Sequence, residues 1–66
     1  MKLKYFFAKL HGYVRMKLST DADLMCKHDF WFVHRFKDEW EREIDTVWVE
    51  PIGDGRVQCI ITLKAA

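Results

Sequence analysis

The chain has 66 residues, half of them hydrophobic, with ten aromatic rings and a formal net charge of +1. That length suffices for one domain, residues 1–66, and the aromatic content and small charge exclude a disordered polypeptide. They also exclude a bulk electrostatic pull toward nucleic acid, and no run of about 18 apolar residues is present to span a bilayer.

The charge is unevenly spread. Residues 1–19 hold Lys2, Lys4, Lys9, Arg15 and Lys17 and no acid, whereas all ten acids follow. A basic segment lying beside an acidic one inside the fold accounts for this more simply than a basic surface for an anionic partner. Lys4 and Lys9 interrupt the apolar character of residues 1–10, so no secretory leader is expected there. Cys26 and Cys59 fit no disulfide framework, and reduced thiols in a cytoplasmic protein are the expectation.

In chain order, residues 2–9 are ambiguous. Leu3, Tyr5 and Phe7 alternate as in a strand, while Leu3, Phe6, Phe7 and Leu10 suit a short helix. His11-Gly12 reads as a turn or a bulge. Val14, Met16 and Leu18 alternate with Tyr13, Arg15 and Lys17, which describes a strand with one buried face. Next comes an expected helix capped by Ser19 or Thr20, with Asp21 and Asp23 in its first turn. Ala22, Cys26, Phe30, Val33, Phe36, Trp40 and Ile44 recur along it at helical steps. Phe30-Trp31-Phe32-Val33 reads as a strand in isolation, but its flanks favour the helix. Trp31 and Phe32 then lie off the main stripe, so that face is unusually wide or meets another chain. Finally, Thr46–Glu50 and Arg56–Leu63 are β-branched runs around Pro51-Ile52-Gly53-Asp54-Gly55, a β-hairpin in which proline ends the first strand.

The expected fold class is α+β, with one helix packed on a small antiparallel-rich sheet of three or four strands. The expected order is ββαββ, with βαββ as the alternative. Val14, Met16, Leu18, Val57, Cys59, Ile61 and Leu63 would face the helix. Tyr13, Arg15, Lys17, Trp48, Gln58, Ile60 and Thr62 would form the second face.

Chemistry-bearing patterns are sparse. Cys26, His28 and His34 are close in sequence but lack paired ligands at zinc-site spacing, so no metal and no cofactor is expected. No nucleophile elbow or phosphate loop occurs, and Asp38, Glu39, Glu41 and Glu43 read as a solvated helix face, so an enzyme is not expected. Surplus apolar and aromatic surface points to association with protein: Trp48, Tyr13 and Ile60 as anchors, Arg15 and Lys17 at a polar rim, and Trp31 and Phe32 contributing. The expected function is that of a small accessory module, a homodimer or an inhibitor or adaptor of a larger protein, of the kind phages and mobile elements encode. The alternative is RNA or single-stranded DNA binding by stacking and phosphate contacts on the same sheet face.

Overall fold

A computed structural model describes residues 1–12 and 14–65. The fold is α+β, with two short helices and a four-stranded mixed sheet. The elements are α1 (Leu3–Lys9), β1 (Arg15–Leu18), β2 (Met25–Cys26), α2 (Phe32–Phe36) followed by a 3-10 turn at Lys37–Glu39, β3 (Ile44–Gly53) and β4 (Arg56–Leu63). The sheet order is β2-β1-β4-β3, with β1 parallel to β4 and the other two pairings antiparallel. The observed order, αββαββ, replaces both expected orders.

Residues 3–9 take the helical alternative. An isolated seven-residue helix without a capping side chain is marginal in water, and tertiary contacts sustain this one. Its first amides find carbonyls elsewhere in the chain: Leu3 N–H donates to Arg42 O at 2.9 Å and Lys4 N–H to Trp40 O at 3.1 Å. Lys2 and Lys4 both donate to the Glu41 carboxylate. Those bonds hold Glu41 below the usual carboxylate range and raise the Lys2 ammonium above its ordinary value. Part of the charge asymmetry is therefore resolved within the fold.

The continuous helix expected from residue 20 onward does not form. Asp29 intervenes: its carboxylate accepts from Cys26 N–H at 2.9 Å, and its own N–H donates to Cys26 O at 2.9 Å. This local closure competes with helical hydrogen bonding and frees Met25 and Cys26 to pair with Met16 and Arg15 as an edge strand. Asp21, expected in the first turn of a helix, instead binds Arg35.

The core is Leu3, Phe7, Met16, Leu18, Met25, Phe32, Phe36, Cys59 and Ile61. Phe7 is its hub, with ring centroids 4.8 Å from Phe32, 5.1 Å from Phe36 and 5.6 Å from Trp40. Phe32, expected at an interface, is thus a core residue, because the short α2 turns that side chain onto α1. Burial also pushes the Cys59 thiol up. Both cysteines are free.

The hairpin forms as expected but is longer. β3 runs through Pro51 to Gly53, so proline does not end the strand; β3 is an edge, where a missing N–H is tolerated. The turn is Asp54-Gly55, both at positive φ (54° and 73°), as a two-residue type I′ hairpin requires. β1 pairs with β4 only over Gln58–Ile61, so the distal hairpin projects as a two-stranded arm. The molecule is correspondingly elongated, 36 × 24 × 23 Å.

Candidate binding surface

Side chains alternate across the sheet, and the register sorts them into two faces. Met16 beside Cys59 and Leu18 beside Ile61 face the helices. Arg15 beside Gln58 and Lys17 beside Ile60 face the other way, and the β3–β4 pairing adds Trp48 beside Ile60 and Glu50 beside Gln58. The open face therefore carries two rows, Cys26-Arg15-Gln58-Glu50 and Lys17-Ile60-Trp48. Arg15, Lys17, Trp48 and Ile60 share one surface. Tyr13 lies outside the described residues.

Trp48 is 65% exposed, yet its orientation is fixed. Its indole Nε1 donates to Glu50 Oε2 at 3.1 Å, while Gln58 Nε2 donates to Glu50 Oε1. Glu50 thus ties the exposed ring to the neighbouring strand. A ring held in this way loses less freedom on meeting a partner than a loose one.

Around it the hairpin is largely uncovered. Val47, Val49, Ile52 and Val57 are all exposed, although Val47 and Val49 share the helix-facing side of the sheet with Cys59 and Ile61. The short helices cover β1 and the proximal part of β4 and leave β3 without a buried residue. Val57, expected against a helix, is exposed for the same reason. Sequence reasoning placed Val47 and Val49 in the hairpin but did not single them out. The available signal was that one apolar strand alternates with a tryptophan, leaving neither side polar.

Beyond Lys17 and Ile60, the open face deepens into a groove of about 900 Å³ lined by Arg15, Lys17, Asp21, Trp31, Arg35 and Ile60, among others. Lys17 Nζ donates to Asp21 O at 3.1 Å. Arg35 is paired with Asp21 and, at 3.4 Å, with Glu39, and the hydrogen bond to Asp21 chiefly holds its pKa above the ordinary value. Two of the groove's three cations are therefore engaged internally, and Arg15 makes no ion pair among the described residues. Trp31 forms one wall, half-exposed, with Phe30 packed edge-on against it at 4.6 Å.

Among the described residues, no group of three or more His, Cys, Asp or Glu is placed to hold a metal ion, and no helix is long and apolar enough to cross a membrane. No family model, curated protein or solved structure matches the chain.

Proposed function

We propose that the protein is a small cytoplasmic accessory module that acts by association with protein, using the uncovered hairpin. The observation that carries this reading is Trp48, 65% exposed and oriented by Glu50 beside Ile60 on the open face, with exposed Val47 and Val49 on the reverse side of the same strand. Exposed large apolar side chains grouped on one strand pair mark interaction sites, and tryptophan is enriched among residues that dominate interface energetics. Ile60 extends the apolar centre, while Arg15 and Lys17 supply a polar rim. The mechanism is occlusion or scaffolding, and it needs no reacting group.

Nucleic-acid binding is supported less well. Stacking on Trp48 would bring phosphates toward Glu50, and the groove's cations share their space with Asp21 and Asp23.

The test is retention of lysate proteins, or of a differently tagged second copy, on immobilised protein before and after nuclease treatment. The expected result is nuclease-resistant retention of protein that Trp48→Ala reduces at least tenfold, a loss of about 1.4 kcal/mol or more. Retained nucleic acid, weakened steeply by salt and by Arg15→Ala, would contradict the reading.

A further inference from the structure

The two edges of the sheet differ. One is β2, two residues long, and the other is β3, ten residues long. The start of β3 is already occupied: Ile44 N–H donates to Met1 O at 2.9 Å, and Lys2 bridges to Glu43. From Asp45 to Gly53, no strand pairs with the outer side among the described residues.

The direction of the free backbone groups follows from one hydrogen bond. Ser19 N–H donates to Ile61 O at 2.8 Å, so the polar groups of Ile61 point toward β1 and away from β3. Directions alternate along a strand in an antiparallel ladder. Opposite Ile61, Val47 therefore presents its N–H and C=O outward, as does Val49, whereas Thr46, Trp48 and Glu50 bond across the hairpin. Pro51 falls on the outward set, where its missing N–H costs the monomer nothing.

We propose that this edge pairs with the same edge of a second copy, antiparallel about a two-fold axis at Val49, to make one continuous eight-stranded sheet. The proposal rests on the reading of the hairpin as an association surface and names its occupant. A two-fold axis normal to the sheet keeps each face on its own side, so residues pair only with residues of the same face. With the axis at Val49, Val49 meets its own copy and exchanges both backbone bonds. Val47 meets Pro51 of the second copy and donates to its carbonyl, which needs no proline N–H. Trp48 lies opposite Glu50 of the second copy, whose carboxylate already accepts an indole N–H within each hairpin. The helix side thus becomes a strip of Val47, Val49 and Pro51 from both copies.

Charge supports the same register. Asp45 and Glu50 are the charged residues of β3. Centred on Val49, the regular stretch of residues 46–51 sets Glu50 opposite Trp48 and leaves Asp45 outside it, so no like charges stand opposite one another. β3 lacks the lysines that commonly guard a free edge, and its proline and its two register shifts lie at or beyond the ends of the stretch 46–50, which is left unguarded. The contact rests on one short strand from each copy, so the dimer is expected to be weak enough to dissociate on dilution.

The experiment is light scattering on the full chain over a dilution series from about 1 to 500 μM, a range bracketing micromolar affinity. The expected wild-type result is a mass that doubles across the series. Val49→Pro removes an N–H that the monomer does not use, and Val49→Lys sets two ammonium groups against each other at the axis. Each should move the transition at least tenfold toward higher concentration while preserving the circular dichroism spectrum. Should Val49→Pro fail to fold, Val49→Lys decides the matter alone. Phe30→Ala, at an exposed ring away from the hairpin, should leave the transition in place. A wild-type monomer throughout would overturn the pairing, and so would a dimer indifferent to Val49→Lys or abolished by Phe30→Ala. A monomer that still retains another protein through Trp48 would sink the pairing alone and leave the association reading standing. A dimer lost in Val49→Lys beside nuclease-sensitive retention of lysate material would keep the pairing and remove the reading in which Trp48 holds a further protein.

Discussion

The helical end of the molecule and its hairpin arm are both rich in apolar side chains, and they differ in what covers those groups. Phe7 is 2% exposed and packs against the rings of Phe32, Phe36 and Trp40, whereas Trp48 is 65% exposed and is held by a carboxylate. Reach explains the contrast. Helices of seven and five residues extend over β1 and part of β4, and the ten residues of β3 outrun them. In so short a chain the apolar surface exceeds what its own elements can hide, and the excess falls both on the hairpin, at Val47, Trp48, Val49, Ile52 and Val57, and around α2, at Phe30, Trp31 and Val33.

That contrast can be broken most directly at Phe7. Phe7→Ala removes the hub of the aromatic cluster and should cost about 3–5 kcal/mol, a large share of the stability of a domain this small. Urea denaturation followed by tryptophan fluorescence would measure it. Trp48→Ala should cost under ~1 kcal/mol in the same assay, because an exposed ring contributes little to folding. A comparable loss from both variants would remove the distinction between covered and uncovered ends.

The two thiols sharpen the comparison at smaller scale. Cys59 is buried in the core, while Cys26 is half-buried on the open face. Iodoacetamide near pH 8 should modify Cys26 first, with Cys59 slower by about tenfold or more because the thiolate is the reactive form. Burial raises the Cys59 pKa, so the folded state keeps that proton to higher pH than the unfolded chain does. Its effect on stability is therefore absent below the ordinary thiol range and becomes a loss as pH rises above it. Equal labelling rates in the native protein would show that the core does not shield Cys59.

How much of this was legible in the sequence also divides by region. The hairpin announced itself through β-branched alternation around the glycine-containing stretch 51–55, signals that act over a few residues, although only Asp54-Gly55 of that stretch forms the turn. The alternation of Met16 and Leu18 with Arg15 and Lys17 likewise sorted the two faces of β1. Residues 20–44 misled because Ala22, Cys26, Phe30 and Val33 keep helical spacing, while the carboxylate of Asp29 closes a turn that spacing does not encode. Residues 3–9 were undecided because the carbonyls that complete their helix, on Trp40 and Arg42, are distant in sequence. Trp48, Ile60, Arg15 and Lys17 were read onto one face by strand period alone. Phe32 was misplaced along with its helix, and the exposure of Val47 and Val49 depended on how far the helices reach.

The central claim, that the free edge of β3 is completed by a second copy, is tested most directly by amide hydrogen exchange at Val47 and Val49. Their N–H groups point away from β4, so they should exchange rapidly in dilute solution and slow at least tenfold at concentrations where the mass has doubled. The Trp48 amide, already bonded within the hairpin, should change far less. Fast exchange at Val47 and Val49 in the fully associated protein would contradict the account and place the contact elsewhere.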